Sequence, residues 1–420
     1  LAEAVVFCLS EIFLAHRYAD RVIEKVLQSN PKWGARDRAF IAENTYEIVR
    51  WWRWLLFLNE IDISLLSPKA GENVLDTAST DKTGTVSLMF AQTTLWQIFG
   101  TWQITQETQL PDWKEFKNIL PKKIFEKIEE SKKIRKIFQS IPDWLDEIGE
   151  KEIGTRWDKE IHALNQPAPV VLRANTLKIS AQKLKNLLLK DEIETTEALG
   201  VPTALVLKKR INIFTSLHFK TGLFEIQDAA SQQVATMLDA HTGMRVIDAC
   251  AGAGGKALHL AAIMENTGKI IAMDVEEWKL NELQKRAKRA GVQNIETKVI
   301  DSNKVVKRLQ DSADRLLLDV PCSGLGVLKR NPDAKWKMNL ALIENIKKTQ
   351  QEILANYSQM LKKGGKMVYA TCSILPSESE EQVRWFLEAQ KGNFELLEEK
   401  RISPSQSGFD GFYMACLRRA

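Results

Sequence analysis

Two cysteines stand directly behind hydrophobic, strand-like runs: Cys372 after KMVYAT and Cys322 after RLLLDVP. A thiolate is a strong nucleophile near neutral pH, and one placed past the carboxyl end of a sheet strand faces the crevice where open α/β sheets bind ligands. A lone cysteine packed in a core is only a small hydrophobe. Two of them, both just past strand ends, shift the balance toward chemistry. Four aspartates close comparable runs: Asp248 in RVIDA, Asp274 in KIIAMD, Asp301 in TKVIDS and Asp319 in RLLLDV. If those strands lie in one sheet, the four carboxylates converge on one cleft.

Directly after RVIDA comes the turn Cys250-Ala251-Gly252-Ala253-Gly254-Gly255-Lys256, followed by the helical run ALHLAAIM. Glycines at a strand-to-helix turn let backbone N–H groups approach a ligand closely, although such turns also use glycine for purely structural reasons. Asp274 lies 18 positions beyond Lys256, where a carboxylate accepts hydrogen bonds from ribose hydroxyls. The turn lacks a clean G-x-G-x-x-G, which makes a nicotinamide dinucleotide the weaker reading. Acidic groups suit the ribose, the adenine amino group and the cationic sulfur of S-adenosylmethionine better than they suit phosphates. Cys250 to Lys256 with Asp274, Asp301 and Asp319 is therefore the expected cofactor-binding set.

The elements that must hold these residues follow from periodicity. From Met244 onward, regular strand and helix alternation predicts a doubly wound, Rossmann-like α/β domain. Ahead of it, PAPVVLRANTL and ALVLKK read as strands around a helix over 183–189, a small α/β module, and FEIQDAASQQVATML leads from an Asp-Ala-Ala-Ser turn into a helix. From Val5 to about Leu58 apolar residues recur at helical spacing, interrupted at Pro31 and Gly34. There Arg17, Arg21, Lys25, Lys32, Arg36, Arg38, Arg50 and Arg53 interleave with Trp33, Trp51, Trp52 and Trp54. That mixture suits phosphates and stacked bases, and equally a solvated basic face over core tryptophans. The organisation expected is a helical domain over 1–150, the small module over 151–235 and the Rossmann-like domain over 236–420.

Ser64 to Thr85 reads as a loop, with further helix around 114–138. Its DKTGT, Asp81 to Thr85, matches the phosphorylated-aspartate signature of ion pumps, but pumps need membrane-spanning helices and no apolar run here is long enough, so the match is read as coincidence. Leu1 to Ala15 carries Glu3 and Glu11 and does not read as a signal peptide. Five scattered cysteines, with no CxxC pair, argue against a disulfide framework or a zinc site and for a reducing cytoplasm. No metal and no membrane partner are expected. A net charge of +5 is too mild to identify nucleic acid by itself.

The strings FEIQDAASQ, DACAGAGGK, DVPCSGLGVLKRNPDAKW, YATCSILPSESEEQV and DGFYMA occur in the order and spacing of one family. On these the chain resembles the RsmB/Nop2/Sun-type RNA cytosine-5 methyltransferases over nearly its whole length. The resemblance implies a class I methyltransferase domain preceded by an RRM-like module and, more loosely, a NusB-like all-α domain. A monomer is expected, though nothing in the sequence decides the oligomeric state. It implies S-adenosylmethionine as cofactor, Cys372 as the nucleophile at cytosine carbon 6, Cys322 assisting release and Asp319 touching the base or the methyl donor. It places Lys329, Arg330 and Lys335 near RNA. The NusB-like match points to 16S rRNA; a tRNA enzyme, or an assembly factor that keeps the fold without catalysis, shares most of these motifs. One departure is visible: the family's loop usually reads AAPGGK, and Ala253 stands where it has proline.

Overall fold

The computed structural model describes residues 1–62 and 82–420, the side chains of 82–91 excepted. It forms two compact units, Leu1–Asn165 with Arg330–Asn339, and Gln166–Lys329 with Leu340–Ala420.

Among its described residues the first unit has helices and no strands. Helices Ala2–Phe13, Ala19–Ser29, Ala35–Arg50, Trp52–Leu58 and Lys82–Thr105 surround a core that includes Leu9, Ile41, Ile48, Leu55 and Ile98. Shorter helices follow at Pro121–Ser131, Asp143–Ile153 and Trp157–Leu164. The tryptophans belong to this core: Trp52 is buried and stacks on Phe13 with ring centroids 3.6 Å apart, and the Trp54 indole donates to Ser131 Oγ at 3.0 Å. Several cations are structural as well. Arg38 donates to the carbonyls of Leu27, Asn30 and Trp33, and Arg53 to that of Ile141. Arg21, Lys25, Lys32 and Arg36 are exposed. The expected loop over 64–85 is corrected at its end, since Lys82–Thr85 begins a helix; Asp81 of DKTGT lies outside the described residues.

Arg330–Asn339 completes this unit from far along the chain. Asp333 Oδ2 accepts from the N–H of Ala19, the first residue of its helix, at 3.0 Å. At the carboxyl end of Ala35–Arg50, the Trp336 indole donates to Val49 O and Lys335 Nζ to Arg50 O, both at 2.7 Å. Helix ends carry unpaired N–H and C=O groups, and one short segment satisfies groups at two of them.

The second unit holds two sheets. Strands β1 (Val171–Ala174), β2 (Thr195–Ala198), β3 (Val201–Leu207) and β4 (Phe224–Ile226) pair antiparallel in the order β2-β3-β1-β4, with helix Ala181–Lys190 packed on them through Leu184 and Leu188. The large sheet contains β5 (Arg245–Asp248), β6 (Lys269–Asp274), β7 (Ile295–Val299), β8 (Ala313–Asp319), β9 (Leu361–Thr371), β10 (Phe394–Ile402) and β11 (Phe412–Arg419), in the order β10-β11-β9-β8-β5-β6-β7. Strands β5 to β9 run parallel and β11 lies antiparallel to both β9 and β10. The parallel strands are covered on both faces, which is why RVID, KIIAMD and RLLLD read as continuous apolar runs. The chain leaves β5 toward β6 on one side and later returns as β8 on the other, and a crevice opens at such a reversal. No helix among the described residues is long and apolar enough to cross a membrane.

Candidate active site

The turn after β5 is fixed by backbone geometry. Gly254 adopts φ +84°, a left-handed conformation, and a Cβ there would sit 2.4 Å from Leu283 Cγ; helix Gly255–Ile263 begins at the next residue. Gly252 N–H donates to Asp274 Oδ2 at 2.8 Å, and Glu276 N–H to Asp274 Oδ1 at 2.9 Å. Each oxygen of Asp274 thus keeps a free lone pair while the carboxylate is held at the end of β6.

A cavity of about 370 Å³ opens here, lined among others by Cys250, Gly252, Asp274, Asp319, Pro321 and Tyr357. Tyr357 ends helix Leu340–Tyr357, a wall that sequence reasoning did not anticipate, because its lining residues sit on a helix with no motif of its own. Asp248 is buried, and no side chain hydrogen-bonds its carboxylate, which faces the backbone N–H of Cys250. Burial, together with the neighbouring charge of Asp319, pushes its acid up to about 7. Lys256 Nζ stands 2.5 Å from Asp319 Oδ2; burial opposes its charge, but the Asp319 carboxylate more than compensates and holds the ammonium above its ordinary value. Burial and the same acids keep the Cys250 thiol well above the ordinary cysteine range, hence neutral.

These residues fit S-adenosylmethionine. A buried carboxylate without a side-chain partner that shares its field with two acids on the cavity wall favours a cationic ligand, and Asp274 can accept from hydroxyls. Asp301 lies two residues beyond β7, is exposed and accepts from Ser302 Oγ at 2.9 Å; its neighbours Ile300 and Asn303 line the cavity while it stands at the rim side. Strand β7 is the edge of the sheet, so its end is the least enclosed.

The two thiols meet. Cys322 Sγ and Cys372 Sγ are 3.3 Å apart, joined by a weak hydrogen bond and not by a disulfide. Gly326 N–H donates to Cys372 O at 2.9 Å, and a Cβ on Gly326 would fall 2.2 Å from Gly411 O, so only glycine permits this approach of the three loops. The hydrogen bond to Cys372 and burial push the Cys322 thiol well above its ordinary value. Cys322 is thereby held protonated beside Cys372. Among the described residues no cluster could hold a metal ion.

The expected RNA-facing cations are placed otherwise. Lys329 is buried and donates to Gly408 O at 2.6 Å; Lys335 is 1% exposed and donates to Arg50 O; Arg330 is half-buried. Against the expectation of an exposed basic string, both lysines are buried with their ammonium groups engaged by carbonyls. The repeat of basic residues in KRNPDAKW looks like a phosphate-binding string, but helix capping uses the same residue types.

Comparison with known proteins agrees with this architecture. Residues 235–418 match the family model described as 16S rRNA methyltransferase RsmB/F, and residues 141–214 the ferredoxin-like domain of RsmF/B-like methyltransferases. The chain is 34% identical over 299 residues to the probable ribosomal RNA small subunit methyltransferase B of Synechocystis, covering 67% of each chain. It is 33% identical over 288 residues to ribosomal RNA small subunit methyltransferase B of Vibrio cholerae, covering 66% of this chain and 65% of that one. These matches span about two thirds of the relatives' length. Among solved structures, a methyltransferase homologue from Pyrococcus horikoshii superposes with TM-score 0.61 at 28% identity over 68% of this chain and 98% of its own. NSun6 from the same organism, solved with SFG, gives TM-score 0.62 at 22% identity over 67% and 99%, a likeness of fold.

Proposed function

Since the chain belongs to the RsmB/F family of rRNA methyltransferases, with S-adenosylmethionine as its cofactor, we propose that it methylates carbon 5 of a cytosine in 16S rRNA through a covalent adduct at Cys372. The observation that carries the reading is the pair of thiols, 3.3 Å apart, past the ends of adjacent strands β8 and β9 and beside the acidic cavity.

Carbon 5 of cytosine is a poor nucleophile, so electrons must first be pushed into the ring. The Cys372 thiolate forms a bond from Sγ to carbon 6 as the carbon 5–carbon 6 double bond opens, and that electron pair makes carbon 5 the nucleophile that would take the methyl group, leaving the donor sulfur as a neutral thioether. The cofactor supplies a methyl group on a cationic sulfur. After transfer a base removes the carbon-5 proton, the ring double bond re-forms from that electron pair, and the carbon–sulfur bond breaks with its electrons returning to Cys372. Cys322, kept protonated beside Cys372, assists the release. Asp319, paired with Lys256 on the cavity wall, orients the base or the donor. The target cytosine must leave its stack to reach the thiols, and residues 1–150 and 151–235 hold the surrounding RNA.

The test is methylation of total RNA with tritiated S-adenosylmethionine, followed by mapping of 5-methylcytosine. Wild type labels 16S rRNA, Cys372→Ala labels nothing, and Cys322→Ala accumulates an RNA-linked protein band that Cys372→Ala cannot form. Label confined to tRNA overturns the substrate, and label without any RNA-linked band in Cys322→Ala overturns the adduct.

A further inference from the structure

Glu378 is fully buried in the turn Pro376–Glu378, and among the described residues no ion pair neutralises it. Its carboxylate is instead surrounded by neutral donors from both thiol-bearing loops. Oε1 accepts from Ser323 N–H at 2.8 Å and from Gln350 Nε2 at 3.3 Å; Oε2 accepts from Ser323 Oγ and from Ser373 Oγ, each at 2.5 Å. Ser323 follows Cys322 and Ser373 follows Cys372. Gln350 also donates to Pro321 O at 3.0 Å, on the other side of Cys322. One carboxylate therefore ties together the residue after each thiol, and through Gln350 the residue before one of them. A buried carboxylate without a cation is expensive unless several hydrogen bonds satisfy it, and a core that needed only packing would be served by an apolar side chain.

We propose that Glu378 is the positioning residue for this chemistry: it clamps the Cys322 and Cys372 loops in one register, so that the attacking thiol and the releasing thiol face the same base. The proposal rests on the reading that Cys372 attacks the base. The charge has a second consequence, since Glu378 adds to the effects that keep Cys322 protonated while Cys372 attacks. The two serines are the wires of the clamp, and their hydroxyls are themselves 3.3 Å apart.

The decisive readout is independent of RNA. Diamide oxidises two neighbouring thiols to a disulfide and is itself reduced to the hydrazine, so the rate of Cys322–Cys372 cross-linking, followed by peptide mass spectrometry on the full chain, reports thiol register. In Glu378→Gln, loss of the negative charge alone raises the thiolate fraction and speeds this reaction. A fall of at least tenfold therefore reports lost geometry. The same variant is expected to bind S-adenosylmethionine within about twofold of wild type, because the glycine turn and Asp274 are untouched, while single-turnover methylation falls by at least a hundredfold. Ser323→Ala/Ser373→Ala, which keeps the carboxylate, moves both rates the same way by a smaller factor. Cross-linking at or above the wild-type rate in both variants overturns the clamp. Wild type that cross-links readily but methylates no RNA overturns the reading of function, and leaves the clamp to be judged on the cross-linking rates.

Discussion

Lys256 Nζ and Asp319 Oδ2 lie 2.5 Å apart, tying the helix after β5 to the end of β8 across the point where the strand order reverses. Both groups are substantially shielded, and the ammonium offsets part of the repulsion that Asp319 exerts on Asp248.

Removing one partner leaves a charge without compensation in a poorly solvated place. Lys256→Met is expected to destabilise the second unit more than Lys256→Met/Asp319→Asn does, with a coupling of about 1–3 kcal/mol in a double-mutant cycle measured by urea unfolding. Additive effects, within about 0.5 kcal/mol, rule out the pair as a unit.

Asp248 makes stability depend on pH. Its acid is raised from 3.8 to about 7, so between those values the folded chain keeps a proton that the unfolded chain releases. The contribution of Asp248 to stability is therefore highest below about 4, falls by up to about 1.4 kcal/mol per pH unit toward 7, and loses nothing further above it. Asp248→Asn removes this slope. The difference between wild type and variant in denaturant midpoint, followed from pH 4 to pH 8, should grow with pH in favour of the variant; a constant difference contradicts the assignment.

Much of this site was legible in the sequence because parallel strands, buried on both faces, announce themselves as apolar runs and end where ligands bind. The strand-end rule picks out Asp248, Asp274, Asp301, Asp319, Cys322 and Cys372 from these runs. Residues off the strand ends escaped. Glu378 sits in a turn of mixed serines and glutamates that reads as solvated surface, and Tyr357 on a helix whose amphipathic pattern says only that one face is covered. Strands β2 and β4, four and three residues long, are too short for alternation to register. Asp301 and Lys335 show what local pattern leaves open: it marks each as a site residue, and tertiary placement puts the first in solvent and the second in a core.

The glycine turn offers a matched pair of substitutions. Gly254→Ala meets Leu283 at 2.4 Å in a left-handed backbone, whereas a Cβ on Gly255 finds nothing nearer than Gln227 Nε2 at 3.8 Å. The first is expected to cost about 2 kcal/mol or more and to weaken S-adenosylmethionine binding at least tenfold. The second should leave stability within about 0.5 kcal/mol. Thermal unfolding and calorimetric titration of both variants check this, and equal behaviour of the two contradicts the turn geometry.

Lys335 separates an RNA contact from a structural one. Its ammonium is buried against Arg50 O and Asn165 Oδ1, beside Trp336, and desolvation drives it well below the ordinary lysine range. Lys335→Met keeps most of the stem volume and deletes the donor, leaving carbonyl groups at a helix end unsatisfied. The expected result is a loss of about 1–3 kcal/mol in stability of the helical unit, with the salt dependence of RNA affinity unchanged. A phosphate contact behaves in the opposite way: its removal lowers the slope of log affinity against log salt by about 1 and barely alters stability. Measuring RNA binding at several salt concentrations alongside denaturant unfolding therefore assigns the residue, and a reduced slope with intact stability returns Lys335 to the RNA-binding surface.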